Sequence, residues 1–537
     1  MPLPHQLISG PHTSRFSDQA RWLLFVFLYA VLANVPYWIA SHWLGLLPIG
    51  WFCVEYAVIG LLALFLPSVL SATLLLVVIA ADLLSGICKT YYLAPSECFD
   101  NIGSLHELPG GRSLAVAAVV LITLALVTVA LRYPVKRIHG VCKVSAASCF
   151  LTFCAVILSL DCATMIRETG RLPGIIDHSS RDAHTIRYFR SPWLARYPEV
   201  RLVRLEKSLG GQWSTTAAAL NRAPLLSSAA AEAMRSTALT SGRPLRDLPN
   251  LVIVLTESWG FDEDPAVRNS LVRPYFQPDL LARYQVSQGT VPFFGATIGA
   301  EARELCGSRI GGQIINVPSA GLGGCLPSRL ESLGYHSIAL HGMDGHMYHR
   351  LNWYRKIGFQ EQQFRTQFRR QGLPDCLGAF SGTCDAAVAE WIGNRLEQKD
   401  AGPNFVYWVT LNSHLPVPVP SPLRNAASCS LTPLLLQQPA LCSWYQLVAN
   451  VHDSVSRLAL VDLARPTVFV IVGDHAPPFA DPELRAQFSS TEVPFVILVP
   501  RLDKQPPSRL RSCKARPSAG GPPSLARLRP PAVESMQ

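Results

Sequence analysis

Five long apolar stretches before residue 165 constrain the fold of this chain more than any other feature. They lie near residues 22–39, 49–66, 72–87, 114–131 and 144–160. A helix needs about 20 residues to cross a hydrocarbon core of roughly 30 Å, and each stretch has that length or nearly so. The stretches are too many and too long for a cleaved signal peptide. We therefore predict a membrane domain over residues 1–165 with five transmembrane helices.

Basic residues indicate how this domain is oriented. They are Arg15 and Arg21 before the first stretch, and Arg132, Lys136, Arg137 and Lys143 between the fourth and the fifth. Loops rich in Lys and Arg stay on the cytoplasmic side. Five crossings from a cytoplasmic N-terminus place everything after residue 165 outside the cytoplasm. Glu55 and Asp82 lie inside apolar stretches, where contacts between helices explain them at least as well as a function does.

The formal net charge of +10 is partly concentrated in a linker. Residues 167–204 interleave arginines with aromatic side chains, which suits contact with an anionic membrane surface. Nucleic-acid binding is the other use of such a segment, and a position outside the cytoplasm argues against it. We predict an interfacial linker over residues 166–244, with a helix near 217–238. Residues 501–537 are rich in Arg, Pro and Ser, which predicts a disordered tail.

Cysteines support an oxidising environment for the second half of the chain. Those beyond residue 165 are Cys306, Cys325, Cys376, Cys384, Cys429, Cys442 and Cys513. The first six fall into three pairs of sequence neighbours, which we expect to close as disulfides, although six cysteines allow 15 pairings. A zinc cluster is the rival explanation, but the spacings lack a C-x-x-C pair.

Residues 245–500 have the pattern of one large α/β domain. Apolar runs typical of buried strands occur at residues 251–255, 337–340, 405–410, 468–472 and 495–499. Helical stretches separate these runs. Alternation of this kind predicts a mainly parallel sheet with helices on both faces.

Several of these predicted strands end in polar residues of a similar kind. Glu257 follows the run NLVIVLT, Asp474 and His475 follow a second run, His414 lies just beyond a third, and His341 follows a fourth. Because ligands collect at the carboxyl ends of strands in open α/β sheets, these side chains should converge on one edge. Carboxylates with a histidine suit Mn²⁺, Mg²⁺ or Zn²⁺. For Glu257 alone, capping of the following helix is an equally good explanation.

The order of these motifs resembles that of the alkaline phosphatase and sulfatase superfamily. Within it, the match is to the membrane-anchored phosphoglycerol transferases typified by lipoteichoic acid synthase. TESW is similar to the first metal-ligand motif of that family, with Glu257, and GDHAPP is similar to the last, with Asp474 and His475. The resemblance of GATIGAEARELCG implies that Thr297 is the nucleophile, itself on the metal, and that Glu301 is structural.

Two further motifs resemble the substrate-binding segments of the same family. HGMDGHMYHR implies substrate-binding roles for His341, Tyr348 and Arg350, with Arg350 suited to a fork-like contact with a phosphodiester. NSHLPV implies that His414 binds phosphate or protonates the leaving group. Resemblance covers about residues 250–500, and a five-span anchor also fits the family.

The resemblance also implies a reaction. One divalent metal ion, Mn²⁺, Mg²⁺ or Zn²⁺, lowers the pKa of a threonine hydroxyl so that it attacks phosphorus. A phosphoglycerol-type group then passes from a membrane phospholipid through a phospho-threonine intermediate to an extracytoplasmic glycan or glycolipid. The expected location is the cell inner membrane, with a periplasmic catalytic domain and no nucleic-acid partner.

Three alternatives stay open at this point. CLPSR at residues 325–329 fits the C-x-P-x-R pattern of sulfatases, in which Cys325 would become formylglycine and act as nucleophile. A phosphoethanolamine transferase would share the anchor, the threonine and the metal ligands. A catalytically inactive lipid sensor would tend to lose those ligands, which are all present here. The chain departs from the family pattern at Ala302 and Arg303, and at Tyr348, where tryptophan is frequent.

Overall fold

A computed structural model of the chain describes ten ranges of residues. They are 22–100, 110–132, 140–169, 188–193, 228–236, 248–309, 311–319, 322–398, 402–419 and 429–501. Outside them lie Arg15, Arg21, Lys136, Arg137 and Cys513, most of the predicted linker, and nearly all of the predicted tail.

The first part of the chain is helical. Its helices are α1 (Trp22–Leu44, with a 3-10 turn at Leu32–Asn34), α2 (Val54–Ala63), α3 (Ser68–Thr90), α4 (Pro95–Asp100), α5 (Gly110–Arg132) and α6 (Gly140–Thr169). Among the described residues, four helices are long and apolar enough to cross a membrane: α1, α3, most of α5 and most of α6. The third predicted span, the shortest in the sequence, is a 23-residue helix.

The second predicted span differs from the expectation, because α2 has only 10 residues. Before α2, Phe52 and Cys53 are extended and pair in parallel with Phe189 and Arg190. The two segments approach closely at Gly50, where a Cβ atom would lie 2.6 Å from the Phe189 carbonyl oxygen. Pairing with a distant segment therefore takes residues 52–53 out of the helix, and hydropathy alone carries no information on that pairing.

Arg190 also departs from the predicted surface location of the linker. Its guanidinium is buried between helices, with Nη2 at 2.7 Å from Asp82 Oδ2 of α3. Arg190 Nη2 also donates to Asn34 Oδ1 at 3.0 Å. Burying a charge requires a paired and hydrogen-bonded partner, and Asp82 supplies it. Asp82 thus serves a contact between segments, one of the two explanations considered for it.

A seven-stranded sheet forms the centre of the second part. Its strands are β1 (Asn250–Thr256), β2 (Tyr284–Pro292), β3 (His336–His341), β4 (Glu361–Gln363), β5 (Asn404–Val409), β6 (Thr467–Gly473) and β7 (Glu492–Pro500). Their order is β2-β7-β6-β1-β5-β3-β4. The five strands from β6 to β4 are parallel, and β7 and β2 run antiparallel at one side.

The expected mainly parallel sheet is therefore confirmed. β1, β5 and β6 are buried along their whole length, as their unbroken apolar runs predict. Two strands of this sheet were not predicted: β2 has a largely polar sequence with only two buried residues, and β4 has three half-buried residues at the opposite edge.

Helices cover both faces of this sheet. They are α7 (Ala229–Ser236), α8 (Pro265–Val272), α9 (Pro278–Arg283), α10 (Thr297–Cys306), α11 (Leu326–Glu331), α12 (Arg350–Lys356), α13 (Arg365–Arg370), α14 (Asp385–Leu396), α15 (Pro433–Gln437), α16 (Pro439–Leu460) and α17 (Pro482–Arg485). The described helix α7 lies within the helix predicted near residues 217–238. Its Ala230 N–H donates to Glu304 of α10 at 2.8 Å, which joins the linker to the domain.

All three expected disulfides are present. They join Cys306 to Cys325, Cys376 to Cys384, and Cys429 to Cys442. The first bond links the end of α10 to the residue before α11, so it holds the helix that begins at Thr297.

Candidate metal centre

The carboxyl ends of four adjacent parallel strands meet at one edge of the sheet. β6, β1, β5 and β3 are neighbours in that order. Each is followed by polar residues that the sequence singled out. As a result, residues separated by more than 200 positions, such as Glu257 and Asp474, lie side by side.

Glu257, Asp474 and His475 form a buried cluster in which one ligand atom of each lies within 4.8 Å of the others. His475 Nε2 is 3.6 Å from Glu257 Oε1 and 3.3 Å from Asp474 Oδ2. Asp474 Oδ1 accepts hydrogen bonds from the N–H groups of Ser258 and His475, both at 2.7 Å. Asp474 Oδ2, in contrast, is buried without any hydrogen-bond partner.

An unpartnered buried carboxylate oxygen is costly, and a bound cation would satisfy it. Burial and the neighbouring Asp474 carboxylate raise the pKa of Glu257 well above its ordinary value, and a cation between the two acids would favour their ionised forms. Two carboxylates and one imidazole are a donor set that Mn²⁺, Mg²⁺ and Zn²⁺ accept. These residues therefore fit a divalent metal ion.

Thr297 lies beside this cluster, at the first residue of α10. Its hydroxyl donates to Glu257 Oε2 at 3.3 Å, and its side chain is buried. Gly295, two residues earlier, has φ of +74°, a conformation that glycine adopts without strain. The position at a helix N-terminus favours negative charge on the threonine oxygen and on a phosphoryl group attached to it.

Polar residues that sequence reasoning missed hold Glu257 in place. The Glu257 N–H donates to Thr410 Oγ1 at 2.9 Å, and Ser413 Oγ donates to the Glu257 carbonyl at 2.6 Å. Ser258 Oγ donates to Glu257 Oε1 at 3.0 Å, and its backbone φ of +57° is a strained conformation for serine. Thr410 immediately follows β5 and Ser413 comes three residues later, so their position after an apolar run was the signal that could have found them.

Arg303 departs from the family pattern, and in the structure its side chain connects two segments of the site. Its Nη2 donates to the Gly473 carbonyl at 2.8 Å, directly before Asp474. Its Nε donates to Glu304 at 2.7 Å. Gly473 is required here, because a Cβ atom would lie 1.9 Å from the Trp259 carbonyl oxygen. Arg303 thereby ties α10 to the loop that presents the ligands.

Arg350 is arranged differently from the expected fork-like contact. Its Nε and Nη2 both donate to Glu301 Oε1, at 3.0 and 2.6 Å, and Tyr354 donates to Glu301 Oε2. The forked edge of the guanidinium is thus occupied by Glu301, which was expected to be structural. Arg350 Nη1 is buried and has no hydrogen-bond partner. Both N–H groups of Nη1 therefore remain for a ligand, and the fork-like contact with a phosphodiester stays a prediction.

Tyr348 and the two histidines line the same region. The Arg350 guanidinium carbon is 5.1 Å from the centre of the buried Tyr348 ring. His341 Nδ1 lies 2.9 Å from the Val409 carbonyl, and burial together with the positive charge of Arg350 lowers the pKa of His341 well below its ordinary value. His341 is therefore neutral. His414 Nε2 is 4.0 Å from Glu257 Oε1, and its ring stands edge-on to Phe380.

Cys325 does not fit the sulfatase alternative. Its sulfur is bonded to Cys306, so it cannot become formylglycine while that disulfide exists. Its backbone lies at the start of α11, and the CLPSR pattern marks the beginning of that helix with proline in the first turn.

Comparison with known proteins gives the class of this chain. A family model described as Sulfatase matches residues 249–517, which is half of the 537-residue sequence. The chain therefore belongs to the sulfatase family, which is a family of enzymes. The matched domain follows helices that are apolar and long enough to cross a membrane. No curated protein matches the sequence.

Similar solved structures include three bacterial proteins. The lipoteichoic acid synthase LtaP from Listeria monocytogenes is 17% identical over 50% of this chain and 71% of its own, with a TM-score of 0.35. The Streptococcus pyogenes phosphoglycerol transferase GacH, solved with sn-glycerol-1-phosphate, is 15% identical over 53% of this chain and 74% of its own, with a TM-score of 0.32. The C-terminal periplasmic domain of EptC from Escherichia coli is 15% identical over 47% and 72%, with a TM-score of 0.28.

Proposed function

We propose that this protein is a metal-dependent transferase of the cell inner membrane, with its catalytic domain outside the cytoplasm. It moves a phosphoglycerol-type group from a membrane phospholipid to a glycan or glycolipid. The observation that carries this proposal is the Thr297 hydroxyl at a helix N-terminus, 3.3 Å from Glu257 and beside a carboxylate oxygen of Asp474 that lacks a partner.

Glu257, Asp474 and His475 would hold the metal ion, together with the Thr297 oxygen. Mn²⁺, Mg²⁺ or Zn²⁺ bound there supplies a Lewis acid that lowers the pKa of the hydroxyl and offsets charge on the phosphoryl oxygens. Glu257 Oε2 accepts the Thr297 hydrogen bond, so it is placed to receive the hydroxyl proton.

In the first displacement, the Thr297 oxygen forms a bond to phosphorus and the bond from phosphorus to the diacylglycerol oxygen breaks. His414, close to Glu257 and partly exposed, is placed to protonate the departing oxygen. The product is a phosphoglycerol ester of Thr297 and free diacylglycerol. Arg350 Nη1 offers a charge-assisted hydrogen bond to a phosphoryl oxygen.

In the second displacement, a hydroxyl of the acceptor attacks the same phosphorus, the bond from phosphorus to the Thr297 oxygen breaks, and Glu257 returns the proton to that oxygen. His414, having lost its proton, now accepts the proton of the attacking hydroxyl, as microscopic reversibility requires. His341 and Tyr348 complete the wall on the β3 side, and we assign them to substrate binding.

The test is the mass of the purified protein after incubation with phosphatidylglycerol and Mn²⁺ in the absence of an acceptor, followed by peptide mapping. We expect a phosphoglycerol adduct on Thr297 and none in a Thr297→Ala variant. Phosphatidylethanolamine is offered beside phosphatidylglycerol in a second incubation. A phosphoethanolamine adduct on Thr297 would identify phosphatidylethanolamine as the donor, with the nucleophile unchanged. An adduct on another residue in both proteins would overturn the proposal.

A further inference from the structure

A loop of the membrane part contacts the candidate metal centre. This segment, residues 89–98, includes the last two residues of α3 and the beginning of α4, and we refer to it as the anchor loop. The Tyr92 ring centre lies 5.6 Å from that of His475 and 5.7 Å from that of Phe293. Phe293 is four residues before Thr297, so Tyr92 sits between a metal ligand and the segment that leads to the nucleophile.

Arg485 of α17 fixes Tyr92 in this position. Its guanidinium carbon is 4.4 Å from the centre of the Tyr92 ring. The same side chain donates to the carbonyls of Thr90 and Lys89, at 3.1 and 3.2 Å. These carbonyls belong to the last turn of α3, where backbone acceptors lack helical partners and favour a positive charge. The end of α3 is thereby joined to the catalytic domain within two residues of Tyr92.

A second contact lies at the other end of the anchor loop. Glu97 is buried and accepts hydrogen bonds from the N–H groups of Gly312 and Ala94, at 2.9 and 2.8 Å. The approach is close, since a Cβ atom on Gly312 would lie 2.4 Å from Glu97 Oε1. Burial and the Glu97 carboxylate raise the pKa of Tyr348. The anchor loop thus extends from His475 to the segment around Gly312.

The ring of His475 has polar neighbours at both of its nitrogens. Its Nδ1 lies 3.0 Å from the Ala476 carbonyl, and its Nε2 is directed at Glu257 and Asp474. Groups that orient a metal-binding histidine without touching the metal contribute strongly to metal affinity. Tyr92 is such a group, and it comes from the membrane part of the chain.

We propose that the active site is composite, and that Tyr92 is a positioning residue that sets the metal affinity of the centre by fixing the His475 ring. This inference rests on the metal centre of the proposed function. The composite site would also bring the catalytic domain close to a lipid phosphate. Tyr92 lies two residues after α3, a helix long enough to cross a membrane.

The test measures Mn²⁺ binding to the full-length protein in lipid nanodiscs by isothermal titration calorimetry. Tyr92→Leu should weaken binding about two- to tenfold, the range of an aromatic contact. Tyr92→Phe keeps the ring and should bind within twofold of the unchanged protein. Tyr91→Leu is the matched control, because Tyr91 packs on the membrane helices beside Ala40 and Leu46, and its affinity should not change.

The outcomes separate the inference from the function it rests on. If the unchanged protein binds no Mn²⁺, the proposed metal centre fails. If it binds Mn²⁺ and Tyr92→Leu binds equally well, the metal centre stands and the positioning role is overturned. Should Tyr92→Leu unfold at a lower temperature without metal, Tyr92→Met, which fills similar space without a ring, takes its place with the same expected loss.

Discussion

Two buried arginines, one in each part of the molecule, pair with acids in nearly the same way. Arg190 Nη2 lies 2.7 Å from Asp82 Oδ2 among the membrane helices. Arg350 Nη2 lies 2.6 Å from Glu301 Oε1 in the domain that contains the candidate metal centre. All four side chains are at most 2% exposed. A buried guanidinium needs an acid to pair with, and both arginines have one.

The difference lies in how many donors are used. Every nitrogen of the Arg190 guanidinium has an acceptor: Nε and Nη2 reach Asp82, Nη2 reaches Asn34, and Nη1 reaches the carbonyls of Gly50 and Trp51. Arg350 Nη1 has none. A complete set of partners indicates a structural connection, whereas an unused buried donor near a nucleophile indicates a place for a ligand. The comparison assigns chemistry to the Arg350 side only.

The largest effect should come from Thr297, the proposed nucleophile. Thr297→Ala removes the attacking oxygen, so turnover should fall by about 10⁴-fold or more, as for other covalent catalysts. The thermal unfolding temperature should stay within about 2 °C of the original, because one buried hydroxyl contributes little to stability. Thr297→Ser, which keeps a hydroxyl, is the matched control and should retain measurable turnover. Turnover by the alanine variant at the original rate would move the chemistry elsewhere.

Removing the Cys306–Cys325 bond tests stability and also distinguishes Thr297 from Cys325 as the candidate nucleophile. Replacing both cysteines by alanine should lower the free energy of unfolding by about 3 kcal/mol, the value for a loop of this size. Chemical denaturation under oxidising conditions measures this loss. Adduct formation on Thr297 should persist in the folded variant. Loss of the adduct with the fold intact would return Cys325 to the list of candidate nucleophiles.

Lysine at the two arginine positions tests the comparison itself. Arg350→Lys keeps a positive charge for Glu301 but removes the unused donor, so kcat/KM should fall about 10- to 100-fold, the value of one charge-assisted hydrogen bond. Arg190→Lys should destabilise the membrane part and leave kcat/KM of the folded fraction unchanged. Steady-state kinetics in nanodiscs, with the folded fraction measured in parallel, distinguish the two. Equal kinetic losses in both variants would break the comparison.

His452 of α16 shows a third way to bury a basic group. Its Nδ1 lies 2.9 Å from the Tyr275 hydroxyl, its Nε2 has no partner, and burial lowers its pKa to about 3. The folded state therefore keeps His452 neutral, while the unfolded state takes up a proton below a pKa of about 6.5. This group costs stability as the pH falls from about 6.5 towards 3.

The size of this smallest effect follows from proton linkage. Between pH 7 and pH 5, His452 should remove about 2 kcal/mol from the free energy of unfolding, at 1.36 kcal/mol per pH unit. The His452→Phe variant should lose about 2 kcal/mol less of its free energy of unfolding than the original protein over the same interval. Unfolding measured at both pH values gives this difference. An unchanged pH dependence in the variant would mean that His452 finds a charge partner in the folded state.

Local sequence was sufficient for the centre of the catalytic domain. β1, β5 and β6 are apolar along their whole length, and a strand buried on both faces reads directly as such a run. The abrupt change from Leu255 to Glu257 located the first candidate metal ligand, and the same change located Asp474. Parallel neighbours then bring these ends together, so the convergence needed no knowledge of side-chain geometry.

Long-range pairing was beyond the sequence. Arg350 donates hydrogen bonds to Glu301, 49 residues earlier in the chain, and Phe189 pairs with Phe52, 137 residues earlier. Neither partner is marked by spacing or periodicity, because side-chain direction is set by packing. The polar edge strands β2 and β4 were missed for a related reason: their ladders are set by a neighbouring strand, not by burial. The length of α2 differs from the prediction for the same reason.

The convergence of Glu257, Asp474, His475 and Thr297 on one metal ion is tested most directly by anomalous scattering from crystals of the protein grown with Mn²⁺. We expect one manganese peak at roughly 2.0–2.3 Å from an oxygen of each acid, from His475 Nε2 and from Thr297 Oγ1. The peak should disappear in Asp474→Asn crystals grown in the same way. A peak elsewhere in the protein, or an empty cluster at saturating Mn²⁺, would contradict the proposed chemistry.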